Sequence, residues 1–318
     1  MGLLVGGVWQ DRWYDTSASG GRFVREDAQF RQTIGGQDNT YPPESGRYHL
    51  YVSLACPWAH RTLIVRNLKI LQSHIDVSVV SPIMLDHGWT FVTAEGSTGD
   101  AIQGFEFMHQ VYSAAQLDYS GRVTVPVLWD KQTGSIVNNE SSEIIRMLGT
   151  AFNDLTGNQL DLYPNALRHS IDDWNSRIYP AINNGVYRAG FATSQEAYAE
   201  AYAEVFAELD HIDVHLGTHR FLCGNTLTEA DIRSFTTLIR FDAVYHGHFK
   251  CNRQRLEDYP NIPSYVRDIY QLAGVAETVN FDHIKTHYYA SHATINPTAV
   301  VPLGPDINYA RPHDREAL

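Results

Sequence analysis

At 318 residues the chain exceeds the usual size of one compact domain, so two domains, or one with long extensions, are expected. With 43% hydrophobic residues, 19% charged and no apolar run near the ~18 residues a membrane helix needs, it reads as globular and not membrane-spanning. A net charge of −12 excludes a sequence-independent nucleic-acid binder, because phosphate contacts need concentrated Lys and Arg, and points to a small-molecule substrate.

Residues Met1–Gly7 are too short for a signal peptide and lack its basic flank, so a cytoplasmic location is expected. From Met1 to about Gly46 periodicity is poor and Trp9, Trp13, Tyr14, Phe23 and Phe30 stand isolated, which reads as an extended arm held down by its aromatics, the alternative being a cover over a site. Tyr48 to Val52 has strand composition, and Ala59, Leu63, Val65, Leu68 and Leu71 then follow a helical stripe after Pro57 at a first-turn position. A second strand at Val77 to Val80 completes a βαβ unit.

Pro82 to Arg122 is longer and less regular than a plain connection and is expected to carry site residues. Val123 to Trp129, a turn at Lys131–Gly134 and Ile136–Val137 form a hairpin, and Asn139-Glu140-Ser141-Ser142 introduce a helix through Ile144, Ile145 and Leu148. Beyond Leu162 strand signals fade. Helices are expected at Ala166–Ile178, Ser194–Leu216, Glu229–Tyr245 and Ile262–Gln271, with a capping box at Thr228–Asp231 and an irregular tail after Thr286. The division is an N-terminal extension over 1–46, a thioredoxin-like α/β domain with a long insert over 47–155, and an all-α domain over 160–318.

Only Cys56, Cys223 and Cys251 are cysteines, and none has a CxxC partner, so no disulfide framework, zinc ribbon or other metal site is indicated. Cys56 closes a strand and opens a helix, where free backbone N–H groups and the helix dipole favour a thiolate. The bland alternative is a buried small hydrophobe, which is how Cys223 and Cys251 read. Arg61, one turn on, either assists the thiolate or is an ordinary surface arginine. Position 59 is Ala, where a dithiol oxidoreductase carries its resolving cysteine, so a disulfide formed at Cys56 must be released by an external thiol, with glutathione the obvious candidate. A cis peptide at Val125-Pro126 is expected beside it, and Glu140-Ser141 can bind an α-amino and an α-carboxylate group.

In order and spacing, Ser53-Leu54-Ala55-Cys56-Pro57-Trp58-Ala59-His60-Arg61, Gly88-Trp89, Arg122 to Asp130, Asn139 to Ile144, Asn296-Pro297 and Val301 to Pro305 resemble the glutathionyl-hydroquinone reductases, the Xi class of glutathione transferases. The resemblance implies the glutathione transferase fold, a homodimer, and glutathione as co-substrate without a metal. It implies that Cys56 attacks the sulfur of a glutathionyl-hydroquinone, freeing the hydroquinone, and that a second glutathione resolves the mixed disulfide. Glutathione contacts are implied at Trp89, Arg122, Val123, Thr124, Val125, Glu140 and Ser141. Tyr187 is implied as proton donor with Tyr245 and Tyr288 in support, Tyr288 and Tyr289 being hard to separate. Rival readings are an omega-type thioltransferase or dehydroascorbate reductase, which leaves the insert, tyrosines and tail without a role, and a non-catalytic thioredoxin-fold binding module. Conjugation of glutathione to electrophiles is disfavoured, because a cysteine would capture glutathione covalently.

Overall fold

A computed structural model describes residues 2–37 and 39–318. The chain divides into two compact units, one of Met1–Trp13, Glu26–Leu160 and Glu277–Val301, the other of Tyr14–Arg25, Asp161–Ala276 and Pro302–Leu318.

In the first unit the arm is not simply extended. Leu3–Val5 (β1) and Val8–Gln10 (β2) form a hairpin whose turn residues Gly6 and Gly7 take φ of 55° and 78°, conformations that favour glycine. Tyr48–Val52 (β3) leads through Cys56 into Pro57–Leu68 (α1), followed by Asp76–Val79 (β4). Within the insert lies a helix, Met108–Ala115 (α2), and Gly121–Arg122 (β5) pairs with β1 to make a three-stranded sheet. The expected Val123–Trp129 strand is therefore broken. Its second part, Val127–Asp130 (β6), pairs with Ser135–Asn138 (β7), and Ser141–Thr150 (α3) and Asn153–Thr156 (α4) follow. Pro126 contributes no ladder donor, which suits the break.

The main sheet runs β4-β3-β6-β7, with β3 parallel to β4 and the other pairs antiparallel. All residues of β3 and β6 are buried, as central strands covered on both faces must be, and α1 packs against α3. Each fully buried large apolar side chain here contributes about 1.5–3 kcal/mol.

The second unit contains Arg168–Ile178 (α5), Gly185–Gly190 (α6), Gln195–Leu216 (α7), Glu229–Arg240 (α8) and Ile262–Tyr270 (α9). The expected helix to Tyr245 stops at Arg240 and continues as a π-helical turn, Phe241–Tyr245; a second π turn, Tyr179–Asn183, precedes α6. The capping box is present: Asp231 accepts from the Thr228 amide at 2.8 Å and also holds the Leu222 amide at 2.8 Å and the Tyr265 hydroxyl at 2.9 Å. The tail is secured by Arg315, which donates to the Leu216 carbonyl at 3.0 Å.

The stretch expected to be irregular after Thr286 begins inside a helix, Phe281–Ser291 (α10), which belongs to the first unit. Asn280 caps it by accepting from the His283 amide at 2.9 Å.

Candidate active site

Parallel pairing brings the C-terminal ends of β3 and β4 together, Val52 opposite Val79. Antiparallel pairing then places the start of β6 and the end of β7 at the same edge, Val127 opposite Tyr51 and Asn138 opposite Leu128. The segments that leave this edge are Ser53–Cys56, Ser81 with its partner Thr90, the Val125-Pro126 pair and Asn139–Ser141. Four separate sequence motifs thus converge by topology alone.

Cys56 is the N-cap residue of α1 with Pro57 at the first turn, and it is 9% exposed, enclosed but reachable. Its Sγ lies 3.5 Å from the Val125 carbonyl oxygen, and the Val125-Pro126 peptide is cis. The backbone beside Pro126 is therefore at hand for anything bound to that sulfur. Burial pushes the Cys251 thiol up to about 12 and also raises that of Cys223, which disfavours the thiolate at both positions.

Glu140 caps α3: its Oε1 accepts from the Ser142 amide at 2.8 Å, and the other oxygen has no protein hydrogen bond among the described residues. Ser141 is buried, and its hydroxyl accepts from Arg61 Nη1 at 3.3 Å. Arg61 is thus no surface residue. It is 1% exposed, lies over the Trp58 ring at 4.5 Å and ties α1 to the start of α3.

Trp89 is 3% exposed and its carbonyl accepts from the Met108 amide at 2.9 Å. Its ring stacks on His287 of α10 with centroids 4.7 Å apart. Nδ1 of His287 lies 2.9 Å from the Pro82 carbonyl oxygen, a geometry that puts the ring proton on Nδ1. Tyr288 is buried edge-on to His287 at 5.2 Å, whereas Tyr289 is only half-buried. Arg122 is buried and turned to the arm, donating to the Arg12 carbonyl at 2.6 Å and the Trp13 carbonyl at 3.3 Å.

Val123, Thr124 and Val125 lie between β5 and β6, outside any ladder. Their backbone is held instead by Tyr112 of α2, which the sequence did not single out: its hydroxyl donates to the Thr124 carbonyl at 2.9 Å and accepts from Asn139 Nδ2 at 3.1 Å. Burial pushes this phenol up, so it stays a donor. A cleft of about 630 Å³ elsewhere in the insert, lined by Phe91, Asp100, Phe105 and Phe107, offers little chemistry, because Asp100 is engaged by the Tyr51 hydroxyl at 2.9 Å and the Ile102 and Phe105 amides.

Tyr187 and Tyr245 lie in the second unit, side by side with ring centroids 6.0 Å apart. Tyr245 ends one π turn and Tyr187 lies in α6, the helix that follows the other; such turns are local irregularities frequent at functional positions. Phe249 stacks on Tyr245 at 5.5 Å and meets Tyr187 edge-on at 5.5 Å, and Arg25 lies 5.2 Å over the Tyr187 ring. The Phe249 ring itself rests on Gly190, where an added Cβ would stand 2.1 Å from the nearest ring atom. Gly190→Ala should therefore displace Phe249 and cost about 1–3 kcal/mol by overpacking, read as a lower thermal midpoint with an altered near-UV spectrum from the loosened tyrosines.

Models of the glutathione S-transferase N-terminal and C-terminal domains match residues 55–151 and 195–268. The chain is 55% identical to the Escherichia coli glutathionyl-hydroquinone reductase YqjG over 99% of both chains, and 53% identical to the Sphingobium chlorophenolicum glutathionyl-hydroquinone reductase PcpF over 96% of both. It superposes on the glutathione-bound structure of YqjG with a TM-score of 0.91, covering 99% of both chains at 52% identity. With a Xi class transferase from Natrialba magadii the TM-score is 0.93, at 47% identity over 100% of this chain and 97% of the other. The chain belongs to the glutathionyl-hydroquinone reductases, the Xi class of glutathione S-transferases. In this Xi-class chain the N-terminal match spans Cys56, Trp89, Arg122–Val125, Glu140 and Ser141, while the C-terminal match includes Tyr245 but neither Tyr187 nor Tyr288. No helix among the described residues is long and apolar enough to cross a membrane, and no described group of three His, Cys, Asp or Glu side chains could hold a metal ion.

Proposed function

We propose that the chain reduces glutathionyl-hydroquinones at the expense of glutathione, with Cys56 as nucleophile. The observation that carries this reading is the Cys56 sulfur at the N-terminus of α1, 3.5 Å from the Val125 carbonyl, at the sheet edge where Glu140 and Ser141 also begin a helix. The donor set suits glutathione. The Ser141 amide and hydroxyl at the start of α3 match its γ-glutamyl carboxylate, the available Glu140 oxygen its ammonium group, and the extended backbone at Val123–Val125 its peptide. Trp89 supplies an apolar wall, and Arg122 orders the arm around the same backbone.

The Cys56 thiolate attacks the thioether sulfur, forming a Cys56–glutathione disulfide as the carbon–sulfur bond breaks. The electron pair of that bond stays on the aryl carbon and must be met by a proton, giving the free hydroquinone. Ala59 offers no resolving thiol, so a second glutathione, as thiolate, attacks the mixed disulfide, releases oxidised glutathione and regenerates the Cys56 thiolate. Tyr187 is the proton donor in this reading, supported by Tyr245 and Tyr288. Tyr187→Phe should slow hydroquinone release by about 10²-fold, within the range general acids contribute, and leave reduction of a preformed Cys56–glutathione disulfide unchanged. Equal slowing of both steps in single-turnover assays would remove Tyr187 from the proton-donor role.

Incubation with a glutathionyl-menadiol adduct and glutathione tests the whole reading. Hydroquinone and oxidised glutathione should appear in equal amounts. A mixed disulfide on Cys56 without hydroquinone release would move the chain to omega-type thioltransferase chemistry, and no adduct at all would favour a binding module. The working species in this reading is a cytoplasmic homodimer, which sedimentation of the purified chain and fractionation of its host would check.

A further inference from the structure

The long insert between β4 and β5 contributes one side chain that neither the resemblance nor the reaction above assigns. Tyr112 is fully buried on α2, and one oxygen atom joins four partners. It donates to the Thr124 carbonyl at 2.9 Å, lies 3.2 Å from the Thr124 hydroxyl, accepts from the Thr124 amide at 3.3 Å and from Asn139 Nδ2 at 3.1 Å. Asn139 is itself fixed in orientation, since its Oδ1 accepts from the Phe30 amide at 3.1 Å and its amide donates to the Phe30 carbonyl at 3.1 Å. These partners sit on two separate segments. Thr124 precedes Val125, whose carbonyl faces the Cys56 sulfur, and Asn139 precedes Glu140, the cap of α3.

No strand ladder spans residues 123–126, so this stretch lacks the usual means of fixing a backbone. The phenol holds Thr124 in place of a ladder and joins it to Asn139. We infer that Tyr112 is a positioning residue for glutathione, holding the Thr124–Val125 backbone and the Asn139–Ser141 turn in register for one ligand. This rests on the glutathione site proposed above and adds a determinant of glutathione affinity supplied by the insert. Ring packing alone does not account for the arrangement: Tyr119 and Phe30 contact the Tyr112 ring at 5.2 and 6.0 Å, and both contacts survive removal of the hydroxyl.

The test compares the wild-type chain with Tyr112→Phe, Asn139→Ala and the double variant, measuring glutathione Kd by calorimetry on the reduced proteins, alkylation of Cys56 by iodoacetamide, and the thermal midpoint. Tyr112→Phe should weaken glutathione binding about 10–100-fold, as expected when buried partners are left unpaired and shift, with the KM for glutathione rising in step and Cys56 alkylation within about twofold of wild type. Because the two side chains act as one link, the double variant should bind no more than about twofold worse than the weaker single variant. Glutathione Kd within about twofold of wild type in both single variants, with only the thermal midpoint lowered, would reduce Tyr112 to a packing role and overturn the inference. Should Tyr112→Phe fail to fold, Asn139→Ala breaks the same link from the other side and decides by the same criterion. Wild-type binding of glutathione without hydroquinone release would sink the reaction while leaving the Kd comparison valid. No glutathione binding by the wild-type chain would overturn both.

Discussion

Cys56→Ser should lower hydroquinone release by at least about 10³-fold, because a serine hydroxyl is neither ionised at neutral pH nor able to form the mixed disulfide. The fold should survive, since the site is nearly enclosed and a hydroxyl can still donate toward the Val125 carbonyl that now faces Sγ at 3.5 Å. Mass spectrometry after incubation with oxidised glutathione should find the wild-type adduct on the peptide containing Cys56 and none there in the variant. Cys223→Ser and Cys251→Ser provide the contrast. Burial disfavours both thiolates, so each should keep activity within about twofold of wild type. Retained thioether reduction in Cys56→Ser would move the chemistry to another group and remove the reaction as written.

The thioredoxin-like half was legible wherever a local pattern and a non-local one agree. The β-rich run at Tyr48, a proline just after Cys56 and the Lys131–Gly134 turn each mark an element boundary, and the structure has β3, α1 and the β6–β7 hairpin there. Gly134 takes φ of 63°, and its amide closes the turn on the Asp130 carbonyl at 3.0 Å. The capping box at Thr228–Asp231 was readable for the same reason, since its partners are three residues apart. Elements stabilised by distant partners were not. Strands β1 and β5 have three and two residues and pair across more than a hundred positions, leaving only Gly6-Gly7 between two short apolar runs as a local signal. Helix α10 carries His287, Tyr288 and Tyr289, residues of modest helix propensity, and its stability comes from packing such as His287 on Trp89.

The same distinction separates the site residues. Cys56 announces itself by type and position, whereas Tyr112 acts through a hydroxyl whose partners lie 12 and 27 positions away, a relation without a local sequence signature. Arg61 shows the opposite error, for an arginine near a helix start reads as surface yet is buried against Ser141. The long insert gains a purpose from this: α2 supplies Tyr112, and the loop before it supplies Trp89. Both lie at the edge where the four motifs converge, so the insert extends the glutathione subsite proposed for the core.

Arg47→Met should destabilise the chain by about 3–5 kcal/mol, the cost of leaving one member of a buried ion pair behind. Arg47 enters β3 and Asp130 ends β6, and the two are 7% and 0% exposed. Their contact is bidentate, Nε to Oδ1 at 2.8 Å and Nη2 to Oδ2 at 2.7 Å. Burial pushes the Asp130 carboxyl up, but Arg47, the Gln132 amide at 3.0 Å and the Thr133 hydroxyl at 2.9 Å together hold it below the usual carboxylate range. A depressed folded pKa means that this stabilisation is complete above the unfolded carboxylate value of about 3.9 and is lost as pH falls through the lower folded value. In Arg47→Met the dominant remaining influence on Asp130 is burial, which favours the protonated form. The deficit of the variant should therefore be largest near pH 7 and shrink toward pH 4, because the stranded carboxyl of the variant takes up a proton as pH falls while the wild-type pair stays ionised. Urea unfolding followed by tryptophan fluorescence at both pH values measures this directly, and Arg47→Met/Asp130→Leu should recover part of the loss because no charge is stranded in the sheet. A deficit below about 1 kcal/mol at pH 7, the scale of an exposed pair, would mean that water reaches Asp130 and that this end of the sheet opens.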